Sequence, residues 1–329
     1  MEKHILGRSN REVSAIGLGT WQLGGDWGNV DEDQALAVLS AAAEAGVTFF
    51  DTADVYGDGR SEQLIGRFLR ERADGRAFTV ATKMGRRLEQ LPENYVLANF
   101  RAWTDRSRKL LGADTLDLVQ LHCPPTATVT SDEVYDALDT LVDEGVMAHY
   151  GVSVETSAQA LAAIARPRVA SVQIIINAFR LKPLEQVLPA AQQAGVGIIA
   201  RVPLASGLLS GKYTAQTTFS DDDHRNFNRD GSHFDVGETF SGVDYAVGLE
   251  AAGRFAALAQ AHGQDTATAA LAWVAQLPGV SSVIPGARTP EQARANAAAG
   301  AVADLGAGFN AGVHSIYDEL LRPTIHGRW

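Results

Sequence analysis

Four titratable side chains stand where three apolar, strand-like runs of the sequence end. Asp51 and then Tyr56 occur in FFDTADVYG, Lys83 ends VATK, and His122 ends LVQLH. Each residue alone is common at a strand end, as a packing ring, a solvated charge or a satisfied hydrogen-bonding group. Together they suit one task. An ammonium lowers the pKa of a phenol, a carboxylate keeps the ammonium charged, and a neutral imidazole donates a hydrogen bond to a carbonyl oxygen. We therefore predict a site that protonates a developing alkoxide.

Short β-branched or apolar runs alternate with amphipathic stretches rich in Ala and Leu, and these elements must position the four side chains. The predicted strands are 15–19, 48–51, 78–82, 116–121, 149–153, 171–175, 197–200 and 281–284. The predicted helices lie near 32–45, 61–72, 94–111, 132–144, 156–165, 184–194, 250–262 and 290–300. Alternation of strands with helices predicts a parallel sheet. Eight such units in 329 residues favour one domain over 1–329, an α/β fold of the (β/α)8 TIM-barrel type.

A doubly wound sheet is the alternative architecture. It would need Gly-x-Gly-x-x-Gly at the first strand–helix turn, but the chain reads GLGTWQ there, with Gln22 in place of the third glycine. Residues 3–6 and 12–13 predict a short N-terminal hairpin that plugs the bottom of the barrel. The irregular stretch 214–245, after the seventh strand, predicts a lid loop or a disordered segment.

Composition excludes several classes of function. The net charge of −11 argues against a nucleic-acid or anionic-membrane surface, since phosphate binding needs clustered cations. Cys123 is the single cysteine, so no intrachain disulfide is expected, and the histidines lack ligand-like spacing, so no metal is predicted. Apolar runs too short to span a bilayer and a charged N-terminal stretch favour a cytoplasmic protein. The expected partner is a small molecule, and a homo-oligomer is a further state that the sequence allows.

Several motifs, taken in order, resemble the signatures of the aldo-keto reductase superfamily. They are DTADVYGDGRSEQLIG, ATKMG, DLVQLH, GVSVE, VQIIIN and IPGARTPEQ. The resemblance implies a (β/α)8 barrel that reduces aldehydes and ketones with NADPH, or that oxidises sugar-like alcohols in reverse. It implies Tyr56 as the proton donor, Lys83 and Asp51 as the pair that tunes its pKa, and His122 as the group that orients the carbonyl. The predicted walls of the substrate pocket are Trp21, Trp27, Tyr56 and His122.

The resemblance also implies where the nicotinamide end of NADP(H) binds. Ser153 and Gln173 match positions that hydrogen-bond the carboxamide, whereas Val154 stands where many relatives have asparagine. Arg201 replaces a tyrosine that stacks on the nicotinamide. Because a planar guanidinium also stacks on rings, we predict stacking by Arg201. The alternative is an ion pair between Arg201 and an acidic residue of the lid.

The segment IPGARTPEQARAN predicts a phosphate site at the start of a helix. Thr289 suits the N-cap, Pro290 the first helical position, and Gln292 would complete a capping box. A helix start offers N–H groups to an anion, and the resemblance assigns Arg288 to the 2′-phosphate of NADPH, so NADP is favoured over NAD. The complete set of predicted cofactor-binding residues is Gly19, Thr20, Trp21, Asp51, Ser153, Gln173, Arg201, Pro203, Leu204, Ser206, Gly207, Leu208, Ser210, Lys212, Ile284, Gly286, Arg288, Gln292 and Asn296.

Two other functions are compatible with the same residues. One is a nicotinamide-binding regulator or sensor with little turnover, similar to the channel β-subunits of this superfamily. The other is an aldolase that forms a Schiff base on Lys83. The second is disfavoured because Asp51 would keep Lys83 charged, and a charged lysine is a poor nucleophile.

Overall fold

The computed structural model describes residues 1–24, 30–221 and 223–329. Within these residues, eight parallel strands follow one another around one sheet in chain order. They are Leu18–Gly19 (β3), Phe49–Asp51 (β4), Thr79–Met84 (β5), Leu116–His122 (β6), Met147–Ser153 (β7), Val169–Ile175 (β8), Gly197–Arg201 (β9) and Val280–Val283 (β10). Parallel bridges from Ile16 to Val283 and from Gly19 to Gly286 join the first strand to the last. The predicted TIM barrel is confirmed.

The helices lie between the strands, as right-handed βα units require. In chain order they are Glu32–Glu44 (α1), Arg60–Arg70 (α2), Leu97–Leu111 (α3), Thr126–Thr130 (α4), Asp132–Asp143 (α5), Ser157–Ile164 (α6), Lys182–Ala194 (α7), His224–Phe227 (α8), Tyr245–Ala261 (α9), Thr266–Ala275 (α10), Pro290–Ala298 (α11), Gly306–Ile316 (α12) and Arg322–Ile325 (α13). Every helix predicted from the sequence is present. The sequence did not predict α10 and α12, because α10 is apolar on every side and α12 contains three glycines, which are poor helix formers. Nor did it predict α4, α8 and α13, which have only four or five residues each and are too short to show a helical period.

The N-terminal hairpin consists of Lys3–Ile5 (β1) and Glu12–Ser14 (β2), which pair in antiparallel fashion. Leu6 and Val13 are fully buried and form one cluster with side chains at the N-terminal ends of the barrel strands, including Phe49 and Ile199. The hairpin therefore fills the end of the barrel opposite the strand termini that carry Asp51, Lys83 and His122.

The strands are buried on both faces, because side chains fill the barrel and helices cover it. All residues of β5, β8 and β9 are buried. Aromatic rings anchor the outer layer. The ring of Phe50 stacks on Phe78 at 5.2 Å and meets Phe68 of α2 edge-on at 5.8 Å. This packing fixes the strand ends from which the functional side chains project.

The stretch predicted as a lid or a disordered segment folds over the mouth of the barrel. It contains α8 and two single 3₁₀ turns, Val236–Glu238 and Phe240–Gly242. Ser206, after β9, donates a hydrogen bond of 2.7 Å from Oγ to the carbonyl oxygen of Glu238. The rings of His224 and Phe234 lie 5.7 and 6.2 Å from that of Trp21. We call residues 214–244 the lid, excluding position 222.

The C-terminal tail packs against the lid. Trp329 is only 6% exposed, and the guanidinium of Arg180 lies 3.8 Å above its ring. Nη1 of Arg328 donates to the carbonyl oxygen of Gly242 at 3.3 Å. The tail and Arg180 therefore support the lid from behind. In the described part of the chain, no helix has the length and apolarity needed to cross a bilayer.

Candidate active site

A buried ion pair lies beneath the mouth of the barrel. Nζ of Lys83 lies 2.5 Å from Oδ1 of Asp51 and donates to the carbonyl oxygen of Thr52 at 2.8 Å. Both charged side chains are almost completely removed from solvent. Burial, the largest effect, lowers the pKa of Lys83, but the charges of Asp51 and Tyr56 and the hydrogen bonds to both residues together raise it. Lys83 is therefore a permanent ammonium.

Tyr56 lies next to this ammonium, because the loop after β4 brings it back over the strand end. Its hydroxyl lies 3.4 Å from Nζ of Lys83. Gly57, with a φ of +58°, makes this turn possible, since a side chain there would collide with the backbone of Gly24. Burial raises the pKa of Tyr56, and Lys83 opposes that rise without reversing it. The sequence-based prediction that the phenol pKa would be lowered is therefore wrong. Lys83 acts in the predicted direction, but desolvation of the phenolate is the larger effect.

His122 completes the group at the end of β6. Its ring stands edge-on to that of Tyr56, with the centroids 5.9 Å apart. Burial lowers the pKa of His122 well below the usual value, and the charges of Arg86, Lys83 and Arg201 lower it further. The imidazole is therefore neutral at physiological pH, and one ring nitrogen carries a proton that it can donate. Its Nδ1 is buried and makes no hydrogen bond among the described residues.

Asp51 is held in place by two amide side chains from the barrel interior. Nε2 of Gln173 donates to Oδ2 of Asp51 at 2.7 Å, and Nε2 of Gln120 donates to the same oxygen at 3.2 Å. Gln173 was predicted as a cofactor residue, whereas Gln120 was not predicted. The signal for Gln120 was a polar residue inside the apolar run LVQLH. These hydrogen bonds hold the carboxylate of Asp51 in place, and this carboxylate in turn holds the ammonium of Lys83.

A cavity of about 510 Å³ opens above these residues and extends across the barrel mouth. It is large enough for an extended small molecule. The predicted site residues that line it are Gly19, Thr20, Trp21, Asp51, Tyr56, His122, Ser153, Gln173, Arg201, Pro203, Leu204, Ser206, Gly207, Ile284, Gly286, Arg288 and Gln292. Residues from seven strands and their loops thus meet at one surface, as the barrel topology requires.

Some predicted residues do not reach the cavity wall. Leu208 is buried against Gly248 of α9, and Lys212 is exposed at the end of its loop. The hydroxyl of Ser210 donates to the carbonyl oxygen of Gly207 at 2.6 Å, and Nδ2 of Asn296 donates to that of Gly286 at 3.1 Å. Lys83 lies behind Asp51 and Tyr56.

One predicted substrate residue cannot be placed on the cavity wall. Trp27 lies outside the residues that the structure describes. Trp21, its predicted partner in the substrate wall, does line the cavity and stacks on Tyr56 with the ring centroids 6.1 Å apart.

Arg201 joins the barrel to the lid. Its Nη2 lies 2.8 Å from Oε2 of Glu155, after β7, and its Nη1 lies 2.5 Å from Oε1 of Glu238 in the lid. This is the ion pair with an acidic lid residue that was the alternative to stacking. Arg201 therefore bridges the barrel and the lid, and we predict that it acts as a latch that holds the lid closed.

The loop after β9 carries backbone in the left-handed region. Val202, Ala205 and Ser206 have φ values of 52°, 47° and 54°, which is strained for residues with a Cβ and most of all for a β-branched one. Gly207, next to them, has a φ of 100°. The N–H groups of Ala205 and Gly207 donate to the carbonyl oxygens of Val202 and Leu204 at 3.1 and 2.9 Å, so these turns are closed by hydrogen bonds within the loop.

The start of α11 forms the other end of the cavity. Thr289 caps the helix by accepting from the N–H of Gln292 at 3.3 Å, and Pro290 occupies the first turn, as predicted. The capping box does not form, because Oε1 of Gln292 accepts from the N–H of Arg288 at 2.8 Å instead. Arg288 is exposed, and no carboxylate among the described residues forms an ion pair with it. This end of the cavity therefore offers a helix N-terminus and an unpaired guanidinium.

Several residues of the cavity wall were not predicted from the sequence. Arg86, Gln22, Glu238 and Phe234 all line it. Arg86 follows ATKMG directly, so its position was a usable signal, whereas the two lid residues depend on how a long loop folds. Cys123 also lines the cavity. Burial raises the pKa of its thiol to about 12, so it is not a nucleophile.

Comparison with known proteins agrees with this fold. A model of the aldo/keto reductase family matches residues 15–318. An aldo-keto reductase of Bacillus subtilis (strain 168) is 31% identical over 90% of this chain and 87% of its own. A probable voltage-gated potassium channel subunit beta of Oryza sativa subsp. japonica is 32% identical over 89% of each chain. The chain belongs to the aldo/keto reductase family.

Solved structures resemble this one along nearly the full chain. A glycerol dehydrogenase of Gluconobacter oxydans superposes with a TM-score of 0.81 at 29% identity, over 97% of this chain and 96% of that one. An aldo-keto reductase of Klebsiella pneumoniae, solved in complex with NADPH, superposes with a TM-score of 0.71 at 25% identity, over 96% and 95% of the two chains.

Proposed function

We propose that the protein is an NADPH-dependent reductase of aldehydes or ketones, and that it oxidises the corresponding sugar-like alcohols in the reverse direction. The observation that carries this proposal is the contact of the buried Lys83–Asp51 pair with the Tyr56 hydroxyl, beside a neutral His122 at the cavity floor. Few other reactions need a protonated phenol, a permanent ammonium and a neutral imidazole at one carbonyl-sized position.

Each side chain has a separate role in the proposed reaction. His122 donates a hydrogen bond that orients the carbonyl and polarises it. Tyr56, whose raised pKa keeps it protonated at neutral pH, transfers its proton to the carbonyl oxygen as that oxygen becomes an alkoxide, a much stronger base than a phenolate. Lys83 stabilises the phenolate that remains. A proton from solvent then restores the phenol.

The cavity fits NADP(H), which supplies the hydride that no side chain can provide. At the catalytic end, Gln173 commits Nε2 to Asp51, so its Oε1 remains as an acceptor for the carboxamide, beside Ser153. Ser206 and Gly207, which line the cavity, would lie beside the diphosphate. Arg288 and the start of α11 suit the 2′-phosphate. The complex of the Klebsiella relative with NADPH supports this assignment.

A second candidate is a nicotinamide-binding regulator with little turnover. The similarity to the rice channel subunit favours it, since such a protein can share the same barrel. The two candidates differ in rate rather than in the ligand that they bind.

Steady-state consumption of NADPH with a panel of aldehydes and ketones distinguishes them. We expect turnover well above about one per minute with at least one carbonyl, a modest rate for an enzyme. Rates far below that value for every compound, together with tight NADPH binding, would favour the regulator instead.

A further inference from the structure

Two guanidinium groups in the cavity have no carboxylate partner among the described residues, and they lie at opposite ends. Arg288 is at the start of α11, and Arg86 lies beside His122. The other two arginines of the cavity wall are paired, Arg201 with two glutamates and Arg225 with Asp223. Arg86 therefore lacks the direct ion pair that Arg201 and Arg225 have, and a ligand could supply it.

The backbone directs Arg86 into the cavity. β5 ends at Met84, and Gly85 adopts a φ of +118°, packed against the ring of Tyr95 where a Cβ would meet Cε1 at 2.9 Å. This turn places Arg86 over the mouth. The next residue, Arg87, turns the other way and contacts Oδ1 of Asp58 at 2.7 Å. The two neighbouring arginines are therefore in different environments, one facing the cavity and one in an ion pair outside it.

Arg86 is not needed to satisfy the backbone beside it. Its one hydrogen bond among the described residues runs from Nε to the carbonyl oxygen of His122 at 3.3 Å. Nε2 of Gln90 donates to the same oxygen at the shorter distance of 2.9 Å. The two terminal nitrogens of Arg86 make no hydrogen bond in the described part of the chain, although a guanidinium has five N–H donors. A fork of donors beside the carbonyl site is thus left for a ligand.

The carboxylates around Arg86 form ion pairs with other cations rather than with Arg86. Lys83 is paired with Asp51, and Arg201 with Glu155 and Glu238. Although burial lowers the pKa of Arg86, charges that include those of Glu238 and Glu155 together raise it, so the guanidinium stays charged. A charged, partly desolvated guanidinium that forms no ion pair with a described residue favours an anion within hydrogen-bond reach.

We propose that Arg86 binds an anionic group, a carboxylate or a phosphate, on the carbonyl substrate, so that the preferred substrates are acidic aldehydes or ketones. This inference rests on the proposed reductase function. Both anions present paired oxygens that match the fork of a guanidinium. Tyr56, His122 and Arg86 line one cavity. A substrate whose carbonyl and anionic group are a few bonds apart would place the carbonyl at Tyr56 and His122 and the anionic group at Arg86.

Matched pairs of substrates test the proposal. We would measure kcat/KM for a carboxybenzaldehyde and its methyl ester, and for glyceraldehyde phosphate and glyceraldehyde, in the wild type, Arg86→Gln, Arg86→Lys and Arg87→Gln. The ratio of charged to neutral substrate should fall about 10- to 100-fold in Arg86→Gln, the size expected for one charged hydrogen-bonded contact. Arg86→Lys should recover part of it. Arg87→Gln, which removes an equal charge from the adjacent residue, should leave the ratio of charged to neutral substrate unchanged.

A binding measurement removes the dependence on turnover. Fluorescence titration of the NADP⁺-saturated protein with the product hydroxymethylbenzoate should show tighter binding than with its methyl ester, and Arg86→Gln should abolish the difference. In the kcat/KM measurements, the substrate pair whose ratio falls more in Arg86→Gln, carboxylate or phosphate, identifies which anion the site binds.

The proposal and the proposed function fail in different ways. If Arg86→Gln slows charged and neutral substrates equally, or mainly weakens NADPH binding, Arg86 serves the structure or the cofactor and the proposal is overturned. If the wild type reduces no carbonyl at all, the reductase function fails, and the titration alone then decides whether Arg86 binds an anion.

Discussion

The ammonium of Lys83 lies 2.5 Å from Oδ1 of Asp51, and both side chains are almost completely buried. Such a pair is costly to assemble, because each ion loses its hydration. In the proposed reaction this cost has a purpose, because the pair lies directly under the Tyr56 hydroxyl. The ammonium of Lys83 then provides a fixed positive charge at the place where the phenolate of Tyr56 forms.

Replacing Lys83 by methionine should lower the free energy of unfolding by about 3 kcal/mol or more, because the carboxylate of Asp51 is then buried without a counter-ion. Urea titration measures this loss. Lys3→Met is the matched control, since Lys3 pairs with Glu12 at 3.0 Å on the surface and should cost no more than about 0.5 kcal/mol. Similar losses in the two variants would show that Asp51 is not held as a buried charge.

Asp54 should make the free energy of unfolding depend on pH. Its two carboxyl oxygens are buried without a hydrogen-bond partner among the described residues. Burial, reinforced by the charge of Glu62, raises its pKa to about 7. In the unfolded chain Asp54 ionises near pH 4. The folded state therefore loses stability relative to the unfolded chain as the pH rises from about 4 to about 7, and the full loss is present above pH 7.

Asp54→Asn should therefore stabilise the protein at pH 8, by up to about 4 kcal/mol, and the gain should shrink towards zero near pH 4. Urea titrations at several pH values measure it. Asp58→Asn is the control, because Asp58 is exposed and Arg87 lowers its pKa, so no gain at high pH is expected. A gain for Asp54→Asn that does not vary with pH would contradict this prediction.

Arg288→Ala should raise the KM for NADPH much more than the KM for NADH, because only NADPH carries the 2′-phosphate that Arg288 would bind. We expect a change of about tenfold or more for NADPH, the size of a lost charged contact. Arg294→Ala, on the same helix but away from the cavity wall, is the control. Equal effects of Arg288→Ala on the KM values for NADPH and NADH would contradict a role of Arg288 in binding the 2′-phosphate.

Glu238→Gln should loosen the lid, because it removes one of the two carboxylates that Arg201 joins. NADPH should dissociate about tenfold faster, since losing part of a buried ion pair acts mainly on release. Stopped-flow fluorescence measures this rate, with Glu319→Gln in an exposed ion pair as the control. Because burial raises the pKa of Glu238, the effect should diminish at acid pH, where the wild-type residue is also neutral. Unchanged release at high pH would show that Arg201 is not a latch.

Much of the barrel follows from local patterns. Short apolar runs that end in a polar residue locate β4, β5 and β6, and they place Asp51, Lys83 and His122 at strand ends because parallel strands of a barrel point the same way. Gly, Thr and Pro signals locate the start of α11. These features depend on a few neighbouring residues, so one sequence is enough to predict them.

Other features depend on contacts between distant segments. The latch joins Arg201 to Glu155, earlier in the chain, and to Glu238 in the lid, and no local pattern fixes how the lid folds. The pKa of Tyr56 rises because desolvation exceeds the effect of Lys83, a balance that requires knowing the burial of both. The same holds for Arg86, whose neighbour Arg87 has the same residue type and a different environment.

Tyr56→Phe tests whether Tyr56 is the proton donor. The variant removes one oxygen from the ring and leaves Lys83, Asp51 and the cavity in place. If Tyr56 donates the proton, the turnover of carbonyl reduction should fall at least about 100-fold, the usual contribution of a general acid, while the dissociation constant of NADPH from a fluorescence titration stays within about twofold. Turnover within a few-fold of the wild type would contradict the assignment of the proton donor and the mechanism built on it.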